Sequence, residues 1–131
     1  MIRCCSMAAL AVALGAAAGC GGSDESGSPS PNPGTGTIAA TVTITAAGAS
    51  PRDVTVAPGS RVTFVNSDTR NHDMQSDPHP EHTDCPALAQ VGFLAPGESK
   101  TSGNLNTPRA CGFHDHNLPD VASLKGVIRV Q

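Results

Sequence analysis

The sequence predicts a small all-β domain, a Greek-key β-sandwich, from its length, its turn-forming residues and its short alternating segments. The chain has 131 residues, which is room for one domain of ordinary size. It contains 14 Gly and 11 Pro, a content that is typical of short strands joined by turns and unfavourable for helix bundles. The alternating segments all lie within residues 37–131, so we expect a single domain there.

Apolar and polar residues alternate in several short segments of this domain. Residues 41–45 place Val42 and Ile44 on one face of a predicted strand. Residues 53–66 contain two such segments around a Pro-Gly turn, which predicts a β-hairpin. Further strand-like segments are residues 91–94 and 126–130.

Charge and aromatic content exclude a nucleic-acid surface. The chain has 8 Lys and Arg against 11 Asp and Glu, a net charge of −3, whereas nucleic-acid binding needs clustered cations. It has no Trp, no Tyr and 3 Phe, so it offers little on which bases or sugar rings could stack. Motifs of phosphate-binding loops and nucleophilic hydrolases are not found in the sequence. We therefore expect no nucleic-acid partner, favour a binding or carrier protein over a catalyst, and look to the His and Cys residues for function.

The N-terminal residues predict an exported lipoprotein. Residues 1–19 combine Arg3 with an apolar run that is typical of a signal peptide and too short for a permanent membrane span. The following Cys20 completes a segment that resembles a bacterial lipobox, which implies lipidation of Cys20; a plain secreted protein is the alternative. Residues 20–36 are rich in Gly, Ser and Pro and predict a disordered tether. We expect an exported protein, lipid-anchored to the periplasmic side of the cell envelope or to the cell surface, where disulfides persist.

All five His residues lie in two groups that also contain Cys. His114 and His116 point to the same side if their segment is an extended strand, so two imidazoles could bind one ion. Cys111 lies close enough to His114 for one loop to present a thiolate and an imidazole, the ligands that copper and zinc prefer. The sequence therefore predicts a metal site. The two groups are His72, His79, His82 and Cys85, and then Cys111, His114 and His116.

Several segments of residues 37–131 resemble cupredoxins of the plastocyanin and azurin type. The resemblance implies a Greek-key sandwich that holds one copper ion and transfers single electrons. It implies His72 and Cys111 as copper ligands, joined by His114 at plastocyanin-like spacing or by His116 at azurin-like spacing. Leu124 stands where the family has its axial Met, and the loop before it is longer than usual. The matching segments are Val62-Thr63-Phe64-Val65-Asn66 followed by Asn71-His72, the turn Ala95-Pro96-Gly97-Glu98, the pair Cys111-x-x-His114, and the closing Leu124-Lys125-Gly126-Val127-Ile128-Arg129-Val130.

Cys85 leaves a second interpretation open. Once Cys20 is lipidated, Cys85 and Cys111 are the Cys residues left in the exported domain, and two such residues ordinarily pair. Their disulfide would stabilise the thin fold by roughly 3 kcal/mol and would remove Cys111 as a metal ligand. Copper would then be bound by histidines alone. Those histidines would be His72, His114 and His116, with His79 or His82 as additional ligands.

These alternatives predict different functions. A thiolate site favours a membrane-tethered electron carrier that works with a redox partner protein. A histidine-only site favours a copper chaperone, buffer or sensor with a copper-handling partner. Residues 112–116 also resemble a strand of copper–zinc superoxide dismutases, which is a lesser alternative. His79 and His82 have a purely structural interpretation, as turn residues bonded to Asp77 and Asp84. We expect a monomer in each case.

Overall fold

Two β-sheets packed face to face make up the part of the chain that the computed structural model describes, residues 36–131. This arrangement confirms the predicted all-β sandwich and the single domain. The predicted signal peptide, the predicted lipidation site Cys20 and nearly all of the predicted tether lie outside the described residues. Within residues 36–131, no helix has the length and apolar character to cross a membrane. The strands are β1 (Ile38–Thr45), β2 (Gly48–Ser50), β3 (Asp53–Val56), β4 (Arg61–Asn66), β5 (His72–Ser76), β6 (Gly92–Leu94), β7 (Ser99–Thr101), β8 (Arg109–Asp115) and β9 (Gly126–Val130), and a short 3₁₀ helix spans Ala122–Leu124.

Each sheet mixes parallel and antiparallel pairs. The first sheet has the order β2-β1-β4-β7, in which β1 and β4 are parallel. The second sheet has the order β3-β9-β8-β5-β6, in which β3 and β9 are parallel and the other pairs are antiparallel. β5, which begins at His72, and β8, which contains His114, are therefore neighbours in the second sheet.

The hairpin predicted for residues 53–66 is wrong. β3 pairs with β9, with Val54 opposite Ile128, whereas β4 pairs with β1 and β7 in the other sheet. The Pro-Gly turn between β3 and β4 thus carries the chain from one sheet to the other. Alternation indicates that each segment has one buried face, but it does not specify which strand lies beside it.

The core lies between the two sheets and is centred on two aromatic rings. Phe64 of β4 and Phe113 of β8 are fully buried, and their ring centroids lie 5.3 Å apart in an edge-to-face arrangement. Such pairs contribute about 0.5–1.5 kcal/mol beyond their area burial. This contact joins the first sheet to the strand that carries the second histidine group.

Strands β5 and β8 separate their side chains onto two faces of the second sheet. Alternate residues are buried toward the core, and these are His72, Met74 and Ser76 on β5 and Cys111, Phe113 and Asp115 on β8. The intervening residues lie on the outer face, where Gln75 pairs with His114. His114 is nevertheless only 1% exposed, because the loop after β5 folds back over it. The outer face of the second sheet is therefore where a buried polar site forms.

Candidate metal centre

Four histidines converge on the outer face of the second sheet. His114 lies at the end of β8 and His116 directly after it, while His79 and His82 come from the loop after β5. One ligand nitrogen from each of the four residues lies within 4.8 Å of the others. The ring centroids of His79 and His116 are 4.8 Å apart, and those of His82 and His114 are 5.1 Å apart. We call this group the four-histidine cluster.

His114 is the buried member of the four-histidine cluster. Its Nδ1 lies 2.7 Å from Oδ1 of Asp77. A carboxylate accepts hydrogen bonds, so Nδ1 carries the proton and Nε2 keeps a free lone pair. Among residues 36–131, this Nε2 is the buried side-chain atom without a hydrogen-bond partner. A buried polar atom without a hydrogen-bond partner destabilises the fold unless a ligand binds to it.

His82 is held by the main chain of β5. Its Nδ1 lies 2.8 Å from the carbonyl oxygen of Ser76 and donates to it, which leaves Nε2 as the lone-pair nitrogen. Nε2 in turn lies 2.9 Å from Nδ1 of His116. The backbone of His82 has a φ of 55°, the left-handed region, and its N–H donates to the carbonyl of Pro78. This turn directs the ring of His82 back toward β8.

His79 is the exposed member of the cluster. Its ring makes no hydrogen bond among the described residues and is placed by contact with the rings of His82, His114 and His116. Desolvation among these rings, together with their charge, holds the pKa of His79 below its ordinary value. This direction favours the neutral imidazole, which is the form that binds metal ions.

The residues of the cluster fit a metal ion bound by four imidazoles. Nitrogen ligands lie about 2.0–2.1 Å from a zinc-sized ion, so the ligands of a tetrahedral site are about 3.3 Å apart. The observed 2.9 Å between His82 and His116 and the 4.8 Å limit for the whole group lie on either side of that spacing. The buried Nε2 of His114 supplies a lone pair that no other described group uses.

The architecture around the cluster is shared with solved structures of low sequence identity. A purple cupredoxin from Nitrosopumilus maritimus matches with a TM-score of 0.52 and 18% identity over 70% of this chain and 99% of that chain. The oxidised form of plastocyanin from Dryopteris crassirhizoma matches with a TM-score of 0.54 and 20% identity over 70% and 99%. A Cu(I) structure of a mutant amicyanin matches with a TM-score of 0.54 and 15% identity over 74% and 84%. The domain has the cupredoxin fold. No family model and no curated protein matches the sequence.

This fold does not place His72 with the other predicted ligands. His72 is fully buried on the core face of β5, and its Nδ1 lies 2.6 Å from Oδ2 of Asp115. Its Nε2 lies 3.2 Å from Oδ2 of Asp68. Both ring nitrogens therefore contact carboxylates. Because His114 and His116 lie on the opposite face of the sheet, His72 is separated from the four-histidine cluster by the sheet itself.

Cys111 is bonded to Cys85 in a disulfide. Its sulfur is therefore not a thiolate, and it lies on the core face of β8 beside Phe113. Of the residues predicted as ligands, the structure brings together His114 and His116, and it adds both His79 and His82. It separates His72 and Cys111 from that group. The alternative of a disulfide with a histidine-only site is the one that this geometry resembles, with His72 left out.

The prediction from sequence did not identify Asp77 and Asp115 as parts of the site. Asp77 was expected as a turn partner of His79 or His82, but it contacts His114 instead. Asp115 joins His72 and also accepts hydrogen bonds from the N–H groups of Asp73 and Asn117. The signal that could have found Asp77 is its place in the alternation of Asp73 and Gln75, since every second residue continues the outer face of β5.

Proposed function

We propose that this cupredoxin domain binds one copper ion through the four-histidine cluster and serves in copper handling, as a chaperone, buffer or sensor. The observation that carries the proposal is the Nε2 of His114, which is buried, unpartnered among the described residues and part of the cluster. Asp77 occupies the other ring nitrogen, so the free lone pair has a defined position. A metal ion satisfies such an atom better than any group that the described residues offer.

The chemistry of the ligand set supports copper. Imidazole suits zinc, copper and nickel, and among divalent first-row metals copper is bound most tightly by a given nitrogen site. Hard ions such as magnesium and calcium prefer oxygen ligands, and within residues 36–131 no carboxylate belongs to the group of converging ligand atoms. The fold is also that of an amicyanin whose structure is described as its Cu(I) form. Together these points favour copper over zinc as the bound ion.

The ligand set also supports handling over fast electron transfer. The disulfide leaves the described domain without a thiolate, so the blue-copper combination of Cys and His cannot form there. His79 is exposed, which gives another protein or a small chelator direct access to one ligand. An ion with one accessible ligand can be passed on by stepwise ligand exchange. The domain is then a metal carrier and carries out no bond-making chemistry.

One-electron transfer is the second candidate, because the fold is shared with plastocyanin and amicyanin. In that case the copper ion would cycle between its two oxidation states and a redox partner protein would receive the electron. Voltammetry separates the two functions. Fast reversible cycling supports electron transfer, while sluggish cycling with rapid loss of copper to a chelator supports handling.

The cellular setting is part of the same proposal. The signal-like residues 1–19 and the lipobox-like segment that ends at Cys20 support export and a lipid anchor at the cell envelope. A flexible tether over residues 20–36 would let a monomeric domain reach copper-handling partners near the membrane. Labelling with a radioactive fatty acid tests the anchor, and Cys20→Ser should abolish the label.

Copper titration of the purified protein tests the proposed site. We expect one Cu(II) ion per chain and electron paramagnetic resonance with nitrogen ligands alone. His114→Ala and His116→Ala should each weaken binding strongly, measured by competition with a chelator of known affinity. His72→Asn is the matched control, since it removes an imidazole outside the four-histidine cluster. Unaltered affinity in His114→Ala, or no binding by the wild-type protein, would contradict the proposal.

A further inference from the structure

Asp77 is placed to control the imidazole of His114 without itself belonging to the group of converging ligand atoms. It is the first residue after β5, and its Oδ1 lies 2.7 Å from Nδ1 of His114. The side chain of His114 is only 2% exposed, whereas the side chain of Asp77 is 45% exposed. The pair therefore joins a buried ring to a carboxylate at the edge of the site.

The structure assigns Asp77 as the positioning residue of the metal centre, an inference that rests on the function proposed above. Its carboxylate holds the proton of His114 on Nδ1, orients the ring and presents Nε2 to the ion. A carboxylate on the far nitrogen of a metal-bound histidine fixes the tautomer and raises the basicity of the ligand nitrogen. His82 is oriented in the same way by a backbone carbonyl, so both rings direct Nε2 toward the centre of the cluster.

The Asp77 side chain packs against the main chain of β8 at Gly112. The N–H of Asp77 donates to the carbonyl of Gly112, at 3.0 Å. Gly112 lies on the outer face of β8, two residues before His114. A Cβ atom added to Gly112 would lie 2.0 Å from Oδ2 of Asp77 and 2.8 Å from its Cγ. A side chain at residue 112 would therefore displace the carboxylate from the position in which it reaches His114.

Asp84, another acidic residue of this loop, makes no hydrogen bond to His114. Asp84 lies on the same loop and donates its N–H to the carbonyl of Asp77. Its carboxylate makes no hydrogen bond among the described residues. Asp84→Asn therefore removes one negative charge from the loop, as Asp77→Asn does, but leaves every contact of the four histidines intact. Asp84→Asn is accordingly the matched control for Asp77→Asn and Asp77→Ala.

The first measurement reads the His114 tautomer in metal-free, ¹⁵N-labelled protein by nuclear magnetic resonance. Wild type and Asp84→Asn should show the proton on Nδ1 of His114. Asp77→Ala, which removes the acceptor of the Nδ1 proton, should show Nε2–H or a mixture of tautomers. A general loss of stability would not move this readout in a folded protein. An unchanged tautomer in Asp77→Ala would overturn the inference.

The second measurement compares copper affinity by chelator competition. Loss of an outer partner of a metal-bound His lowers metal affinity by about 10–100-fold, and we expect that loss for Asp77→Ala. Gly112→Ala should lower the affinity in the same way, and adding it to Asp77→Ala should cost little more. Equal affinities in Asp77→Ala and Asp84→Asn would overturn the inference. Failure of the wild type to bind copper would contradict the proposed function, while the tautomer still decides whether Asp77 controls His114.

Discussion

Nδ1 of His72 lies 2.6 Å from Oδ2 of Asp115, and both side chains are fully buried on the core face of the second sheet. The carboxylate of Asp115 also accepts hydrogen bonds from two main-chain N–H groups, those of Asp73 and Asn117. His72 thereby joins the start of β5 to the end of β8. Its partner Asp115 stands between His114 and His116 in the sequence. The first His of the cupredoxin-like sequence pattern, predicted as a copper ligand, thus bonds a buried carboxylate and lies outside the four-histidine cluster.

Removal of His72 should destabilise the fold more than it weakens metal binding. His72→Ala leaves the carboxylate of Asp115 buried without its partner, and breaking a buried pair in this way costs about 3–5 kcal/mol. Urea unfolding of the metal-free protein measures this loss, with His79→Ala as the control at an exposed ring. A stable His72→Ala protein that no longer binds copper would instead show that His72 is a ligand.

The oxidised protein should bind Cu(II) without an intense blue or green absorption band. Such a band requires a thiolate on copper, and the sulfurs of Cys85 and Cys111 are bonded to each other in the disulfide. Protein reduced and refolded without thiol blocking provides the comparison, because its cysteines can supply a thiolate to copper. A strong visible band in the untreated protein would show that Cys111 is free and bound to copper.

Loss of the disulfide should weaken both the fold and the metal site. Cys85 and Cys111 are separated by 26 residues, and a bridge of that span stabilises a fold by about 3–4 kcal/mol in the chain-entropy model. Cys85 also ties the loop that carries His79 and His82 to the strand that carries His114. The double variant Cys85→Ser and Cys111→Ser should therefore unfold at lower urea and bind copper less tightly. Unchanged unfolding and affinity would contradict a structural role for the bridge.

His114 and His79, the buried and the exposed member of the four-histidine cluster, should contribute differently to copper affinity. His114 is buried and oriented by Asp77, whereas His79 is exposed and makes no hydrogen bond among the described residues. We expect His114→Ala to lower affinity by more than the about 10–100-fold typical of an outer partner, and His79→Ala to lower it less. His79→Ala should also speed release of copper to a chelator. A larger effect of His79→Ala on affinity would mean that the exposed ring dominates binding.

Acid stability of the fold should depend on Asp68. The guanidinium of Arg70, which bonds Oδ2 of Asp68 at 2.8 and 3.0 Å, holds the pKa of Asp68 at about 2, below its ordinary 3.8. Hydrogen bonds from Thr69 and His72 act in the same direction, while burial opposes them. Because the folded pKa is depressed, this contribution to stability is present above about pH 4 and is lost as the pH falls toward about 2.

Urea unfolding midpoints measured from neutral pH down to about pH 2 test this dependence. The stability difference between wild type and Asp68→Asn should shrink across the window between about pH 4 and 2. Arg70→Gln should raise the pKa of Asp68 toward its ordinary value and move the loss to higher pH. A difference that stays constant with pH would show that the ionisation of Asp68 contributes nothing.

The local sequence determined the fold class and indicated the segments in which the candidate site lies. Alternation in segments such as residues 41–45 and the many Gly and Pro residues require short strands with one buried face, and the structure has them. The clustering of His in two groups indicated the two segments that contribute to the four-histidine cluster, the loop after β5 and the end of β8. The pairing of Cys85 with Cys111 was also among the alternatives, because exported domains rarely keep two free thiols.

Which histidines meet was decided by the tertiary structure. His72, His114 and His116 are all close to strands β5 and β8, but side chains alternate between faces, and His72 falls on the core face while His114 and His116 fall on the outer face. That assignment depends on how the two strands pair, which spacing along the chain does not contain. The loop carrying His79 and His82 completes the cluster because it folds over the outer face, held by Asp77, Ser76 and the disulfide. The contact of Asp77 with His114 and the disulfide join residues 37 and 26 positions apart, so only folding brings them together.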